Sequence, residues 1–107
     1  VLNKGTWNGE QLIGESWIEK STTPRIKGSW PKNSDYGYLW RLLEREVGGK
    51  QMKTVEAWGN RGQFLIIIPE IEMTITMTGG NYNLFPDMED RPFSILNEYI
   101  LPAVQLK

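Results

Sequence analysis

Two strand-like runs joined by a short Pro-Glu corner, within residues 63–78, constrain the fold of this chain most. The first run, QFLIIIP, is continuously apolar, which is typical of a strand that is buried on both faces. The second run, EMTITMT, alternates, so its methionines and its isoleucine share one face and its threonines share the other. The two runs predict consecutive strands of an antiparallel sheet.

A hairpin is predicted upstream of these runs. Residues 36–46, YGYLWRLLERE, alternate in part and are rich in aromatic side chains, which favours a strand. A helix is the alternative, because leucine, glutamate and arginine are good helix formers. Gly48–Gly49 then predicts a hairpin turn, and residues 50–58, KQMKTVEAW, run back as the partner strand. The proline- and glycine-containing residues 22–35, TTPRIKGSWPKNSD, predict a loop before this hairpin.

Helices are predicted before and after the sheet. Residues 14–22, GESWIEKST, predict a short amphipathic helix with Trp17 on its packed side. Residues 90–107 predict a longer helix, with Asp90 as its N-cap and Pro102 as a kink near its end. The apolar stripe of this helix comprises Phe93, Leu96, Ile100 and Val104.

These elements predict an α+β fold. The expected architecture is an antiparallel sheet of about four strands, with a short N-terminal helix and with the C-terminal helix packed on one face. A chain of 107 residues is long enough for one modest core, since folding buries roughly 65% of the unfolded surface at this size. We therefore treat residues 1–107 as a single domain.

Composition argues against several classes of function. The net charge of −1 provides no electrostatic reason to expect nucleic acid or an anionic membrane as a partner. The chain has no cysteine and no histidine, which removes thiol catalysis, disulfides, the usual zinc sites and the commonest general base. We expect no metal and no cofactor. No apolar stretch approaches the roughly 20 residues that a membrane-spanning helix needs.

The stretch Trp58–Gln63, WGNRGQ, joins two predicted strands and carries more unusual chemistry than a hairpin requires. Its two glycines would let a ligand or another backbone approach closely. Backbone N–H groups at such a strand end could hold an anion or a developing oxyanion. The alternative is an ordinary glycine-containing hairpin whose Asn60 and Gln63 bond their own backbone.

A second candidate is the pair Ser29 and Lys32, which matches Ser-x-x-Lys. In that pair the lysine takes the proton of a serine nucleophile, and the serine has to begin a helix so that the lysine follows on the same face. Pro31 and the Asn-Ser-Asp that follows indicate an irregular loop instead. We therefore expect no catalytic role for this pair.

Four segments in order cover nearly the whole chain: NKGTWNGEQLIGESWIEKST (3–22), YGYLWRL (36–42), AWGNRGQFLIIIPEIEMTITMTGGNY (57–82) and DRPFSILNEYILPA (90–103). They resemble consecutive blocks from the C-terminal end of the β-lactamase-related serine hydrolases. This family includes class C β-lactamases, penicillin-binding-protein-like esterases and D-aminopeptidase or carboxypeptidase relatives. The most specific part is the Gly-Gln before a strand, the IPE corner and the strand that ends in TGGNY.

The resemblance implies a partial β-lactamase/transpeptidase-like fold, in which one sheet strand edges the active site and carries the third sequence motif of the family. Trp58-Gly59-Asn60 resembles a variant of that motif. These residues would then line the cleft and orient the carbonyl or carboxylate of the substrate. The backbone N–H of Arg61, at a position where relatives often have glycine, would lie in the oxyanion hole.

The resemblance also implies that the catalytic residues are missing from this chain. The Ser-x-x-Lys and Tyr-x-Asn motifs of the family belong upstream of residue 1, and neither Ser29–Lys32 nor Tyr82–Asn83 matches them. We expect a C-terminal segment of a serine hydrolase that is inactive alone. Its parent would hydrolyse an ester, amide, β-lactam or D-amino-acid peptide through an acyl-enzyme. Many relatives act outside the cytoplasm, which suggests a periplasmic or secreted parent.

The expected partners are the missing N-terminal part of the parent chain and, in the parent, a small-molecule or peptide substrate. A sheet that has lost its N-terminal strands exposes an edge, so we expect the isolated chain to self-associate. Two alternatives stay open. The parent could be a catalytically silent relative that only binds, or the chain could be an independent, non-catalytic α+β interaction module that uses Trp58 and its neighbours as a contact surface.

Overall fold

The computed structural model describes residues 1–29, 34–60, 62–80 and 87–106. They form an α+β fold in which a six-strand antiparallel sheet carries the C-terminal helix on one face. The strands are β1 (Thr6–Trp7), β2 (Glu10–Gln11), β3 (Ile26–Ser29), β4 (Ser34–Tyr36), β5 (Arg41–Val47), β6 (Lys50–Gly59), β7 (Gln63–Ile68) and β8 (Met73–Met77). The helices are α1 (Glu15–Ser21) and α2 (Asp87–Ile95).

The sheet is a meander in which β3 to β8 lie side by side in chain order. Together with the helices it confirms the α+β class. The expectation of about four strands is wrong, because the sheet has six. One extra strand, β3, lies in a segment that predicts a loop. The other, β4, also lies mostly in that segment and takes only Tyr36 from the predicted strand 36–46, whose remainder forms β5 from Arg41 onward. Gly37 separates β4 from β5, since its N–H donates to the Trp40 carbonyl at 2.8 Å and closes a turn. A side chain at Gly37 would lie 2.4 Å from the carbonyl oxygen of Ser21.

The tight turns follow the glycine pattern. Gly48 and Gly49 have φ of 55° and 83°, and they join β5 to β6 as predicted. Asn8 and Gly9, with φ of 49° and 81°, join β1 to β2 in the same way. Two consecutive residues in the left-handed region give the twist that two-residue hairpins need, which is why glycine and asparagine occupy these positions.

The core lies between the sheet and the C-terminal helix. In β7, Ile66, Ile67 and Ile68 are all buried, which confirms the expectation of burial on both faces. In β8, Ile75 is buried while the threonines are exposed, as the alternation predicts. The side chains that form the core are Val47, Met52, Phe64, Ile66, Ile68, Ile75, Phe93, Leu96 and Leu101.

Helix α2 begins at Asp87, so the predicted N-cap at Asp90 is wrong. Pro92 consequently lies inside the helix rather than in its first turn. The helix tolerates this because Phe93 and Leu96 beyond it are buried, and packing of an apolar face outweighs local propensity. After α2 the chain continues as a π-helical segment, residues 96–100, in which the Leu101 N–H bonds the Leu96 carbonyl at 2.9 Å.

The N-terminal part of the architecture differs partly from expectation, because the ribbon of β1 and β2 precedes α1. Trp17 is 51% exposed, so its predicted packed position is wrong. Helix α1 lies against the β4–β5 turn instead of a sheet face, since the Tyr38 N–H donates to the Ser21 carbonyl at 3.1 Å. Within the described ranges, neither helix is long and apolar enough to cross a bilayer.

Candidate functional site

The predicted site residues lie at one end of the sheet, where β6 turns into β7. Trp58 pairs with Phe64 and Gly59 pairs with Gln63, so both site residues belong to the last two positions of β6. Asn60 follows in the turn and is exposed. Arg61 lies outside the described residues. The structure therefore places three of the four predicted residues at the end of the longest strand of the sheet.

The turn needs its glycines for two different reasons. Gly62 is buried with φ of 78°, in the left-handed region that favours glycine. A Cβ added at Gly59 would lie 3.1 Å from the Cβ of Gln63 across the hairpin. The Gln63 amide donates to the Gly79 carbonyl at 2.5 Å, and so it ties the turn to the end of β8. Among the described residues, Gln63 therefore bonds the backbone beyond β8 and not its own turn, in contrast to the ordinary-hairpin alternative.

Trp58 is half-buried and is held on several sides. Its ring lies 5.8 Å from Phe64 and 5.0 Å from Phe93, in edge-on and tilted arrangements. Its indole Nε1 donates to Oε2 of Glu56 at 2.7 Å. The guanidinium of Arg41 lies 4.8 Å from the ring centroid, within the range of a cation–π contact. The indole therefore has a defined position at the rim of the core.

Glu56 is completely buried, and its carboxylate accepts four hydrogen bonds. Oε1 accepts from Arg45 Nε and from Thr54 Oγ1, both at 2.6 Å. Oε2 accepts from Arg45 Nη2 at 2.9 Å and from Trp58 Nε1 at 2.7 Å. A carboxylate offers about four acceptor positions, so the contacts of Glu56 fill its capacity.

Arg45 connects this carboxylate to the C-terminal helix. It is 9% exposed, and it forms a bidentate pair with Glu56. Its Nη1 also donates to Asn97 Oδ1 at 3.4 Å, and its guanidinium carbon lies 5.1 Å from the Phe93 ring centroid. Arg45 therefore contacts both layers of the fold, the sheet and the helix.

The strand register explains how these residues meet. Met52, Thr54, Glu56 and Trp58 are alternate residues of β6, so their side chains share the face that the C-terminal helix covers. Arg45 pairs with Met52 and therefore lies on the same face. Arg45 and Glu56 were not among the site residues predicted from the sequence. The signal that could have identified them is the placement of two opposite charges at inward positions of strands that are otherwise apolar.

Arg41 completes the polar end of the site. It lies directly opposite Glu56 in the register, and its guanidinium sits between the rings of Trp58 and Tyr36, 5.4 Å from the latter. Its Nη1 donates to Ser34 Oγ at 3.4 Å. The arrangement can present a fixed indole and a cation beside a glycine turn, which suits binding and orienting a substrate rather than breaking a bond.

The other sequence candidates lie at the end of β3 or outside the described residues. Ser29 ends β3, and its candidate partner Lys32 lies outside the described residues, as do Tyr82 and Asn83. No group of three or more Asp or Glu side chains in the described part of the chain is arranged to hold a metal ion. In comparisons with known proteins, no family model and no curated protein matches the chain.

Proposed function

We propose that this chain is the C-terminal segment of a β-lactamase-related serine hydrolase. In the parent, a serine outside this chain would attack a carbonyl and form an acyl-enzyme. The substrate would be an ester, an amide, a β-lactam or a D-amino-acid peptide. The end of β6 would edge the cleft, and Trp58, Gly59, Asn60 and Arg61 would contact the substrate.

The observation that carries this proposal is the fixed position of Trp58 beside a glycine turn. The indole is anchored by Glu56 and by two phenylalanine rings, so it is oriented before any ligand arrives. Such preorganisation lowers the cost of orienting a substrate, which is a large part of enzymatic rate enhancement. Gly59 leaves room for a ligand to approach the backbone at the same place.

The arrangement of the elements also supports the proposal. The meander followed by a helix on one face agrees with what the family resemblance implies. On the opposite face of the sheet, Leu42, Ala57 and Leu65 are half-buried, so part of their apolar surface is available for packing. Among the described residues β8 pairs only with β7, which leaves a place for a further strand.

Each site residue has a proposed part in the reaction. Trp58 would pack against the acyl group, and Gly59 and Asn60 would lie along the substrate backbone. The Arg61 N–H would donate to the oxyanion that develops on the attacked carbonyl. The nucleophile and its base would come from the rest of the parent. Loss of both typically lowers the rate by several orders of magnitude, so this chain alone is expected to be inactive.

The test is acylation by a fluorescent penicillin and by a fluorophosphonate. We expect both the full-length parent and its Trp58→Ala variant to be labelled, with the variant roughly 10- to 100-fold slower because the substrate is misplaced. The isolated chain is expected to stay unlabelled and to sediment as a self-associated species through β8. A parent that neither probe labels would refute the proposal, and a labelled isolated chain would refute its inactivity.

A non-catalytic interaction module is the second candidate, and one observation favours it. Trp17 and Tyr38 stack with ring centroids 5.7 Å apart and an angle of 22° between their planes, although both are exposed. Arg25 lies 5.3 Å from the Tyr38 ring, so the pair is flanked by a cation. This pair is a second candidate contact surface for such a module, besides Trp58 and its neighbours. If the module binds through the pair, Trp17→Ala abolishes partner binding by the isolated chain and Trp58→Ala retains it; if it binds through Trp58, the reverse holds.

A further inference from the structure

We infer that Glu56 is a positioning residue for the indole of Trp58, and that Arg45 on β5 holds Glu56 in place and links it to the C-terminal helical segment. The inference that this positioning serves turnover rests on the proposed function. The geometry of the Arg45–Glu56–Trp58 chain of hydrogen bonds does not depend on it.

The first reason is the cost of the buried charge. A carboxylate with no exposed surface loses its hydration, and a buried ion pair seldom stabilises a fold more than apolar side chains of the same size would. Glu56 lies directly opposite the buried Ile66 of β7, so an apolar residue would suit the core at this position. The carboxylate is therefore better explained by what it orients than by stability.

The second reason is the directionality of the contacts. The guanidinium of Arg45 is a rigid fork that bonds both carboxylate oxygens, and so it sets the plane of the Glu56 carboxylate. With Oε1 also bonded by Thr54, the remaining position on Oε2 points at Trp58 Nε1. The orientation of the Glu56 carboxylate is thus set by contacts other than its bond to the indole.

The third reason is that the aromatic contacts of Trp58 allow two orientations of the indole ring, whereas the hydrogen bond to Glu56 allows only one. Ring packing against Phe64 and Phe93 is compatible with an indole turned over about its second side-chain torsion, since that torsion has broad minima. Turning the ring over would move Nε1 away from Glu56 and leave a buried acceptor position unfilled. Glu56 therefore selects the edge of the indole that faces the turn.

Arg45 extends this control to the C-terminal helix. Asn97, which accepts from Arg45, lies in the π-helical segment that follows α2. π-Helical turns displace side chains from the regular helical pattern and often occur at functional sites. A shift of this segment would move the guanidinium and, through Glu56, the indole.

The first experiment measures the indole N–H of Trp58 by NMR in the chain of residues 1–107, with the resonance assigned by its loss in Trp58→Phe. In Glu56→Gln we expect hydrogen exchange at this N–H to accelerate at least about tenfold relative to the backbone amide of Ile66, because its charged acceptor is lost. A matched control, Glu46→Gln at an exposed position of β5, should leave the ratio unchanged.

Two outcomes would overturn the inference: an unchanged Trp58 resonance, or equal acceleration at Trp58 and Ile66, which would mean that Glu56 acts on global stability alone. Arg45→Lys keeps the charge but removes the fork. It should produce a smaller change in the same ratio, and it is the deciding variant if Glu56→Gln does not fold.

The second experiment addresses turnover in the parent. Glu56→Gln should lower kcat/KM about tenfold, mostly through kcat, without changing labelling of the nucleophile by the small fluorophosphonate. An unlabelled parent with the expected NMR result would refute the proposed function and leave the positioning intact. A labelled parent whose kcat/KM is unaffected by Glu56→Gln would refute the role in turnover.

Discussion

The same kinds of residue, tryptophans and ion pairs, are packed on the helix-covered face of the sheet but exposed in the N-terminal segment, residues 1–28. On the covered face, Trp58 bonds a buried carboxylate, whereas Trp17 in the N-terminal segment is exposed and stacks on Tyr38. Among residues 1–28 only Ser21 is buried. The large apolar side chains that stay exposed in that segment are Trp7, Leu12, Ile13, Trp17 and Ile26.

The ion pairs of the two regions differ in burial in the same way as the tryptophans do. Lys4 and Glu15 are 2.8 Å apart, yet their side chains are 71% and 60% exposed. Arg45 and Glu56 are buried, and each has further partners: Arg45 bonds Asn97, and Glu56 bonds Thr54 and Trp58. Exposed pairs contribute little to stability, whereas breaking a buried pair leaves a charge without compensation. What separates the two regions is therefore the presence of a covering layer, since residue composition alone does not distinguish them.

The largest effect should come from breaking the buried pair. Arg45→Met leaves the Glu56 carboxylate buried without its guanidinium, which should lower the free energy of unfolding by about 3–5 kcal/mol in urea titrations. Adding Glu56→Leu should recover at least about 1 kcal/mol, because the uncompensated charge is then removed. Equal stability of Arg45→Met and the unchanged chain would show that the pair is not buried as described.

An intermediate effect is expected when one leucine from each region is truncated to alanine and the losses of unfolding free energy are compared. Leu96 is completely buried beneath the sheet, whereas Leu12 is 60% exposed. Leu96→Ala should lower the free energy of unfolding by about 2–5 kcal/mol, because it leaves a cavity in the core. Leu12→Ala should change it by no more than about 0.5 kcal/mol. If calorimetry finds similar losses for both, the N-terminal segment has a covering layer after all.

The smallest effect should be a gain. Leu39, in the turn between β4 and β5, is 81% exposed and has φ of 65°, a strained conformation for a branched side chain. Leu39→Gly should raise the free energy of unfolding by about 0.5 kcal/mol, since relief of strain exceeds the added flexibility of the unfolded chain. The control Leu39→Ala keeps the Cβ and should show no gain in thermal unfolding. A loss of stability in Leu39→Gly would mean that the Leu39 side chain makes a contact that stabilises the fold by more than the backbone strain destabilises it.

Prediction from the sequence succeeded where a single element carries its own signal, and it failed where two elements decide together. The end of β6 at Trp58 and Gly59 follows from the predicted partner strand 50–58 and from the glycines that come after it. The neighbouring carboxylate of Glu56 was missed, because alternation alone does not reveal which face a helix will cover. Arg41 lies opposite Glu56 in the register, yet the bidentate partner is Arg45, which lies beneath the helix.

The sequence by itself determined the local pieces: the Gly48–Gly49 turn, the doubly buried run in β7, the alternation of β8 and the apolar stripe of the last helix. These depend on backbone torsion and on side-chain periodicity, which neighbouring residues specify. Tertiary structure alone decided that β3 joins the sheet, that α2 begins before Asp90, and that Glu56 is buried while Trp17 is exposed. Burial depends on what packs above each face, and that partner comes from a distant part of the chain.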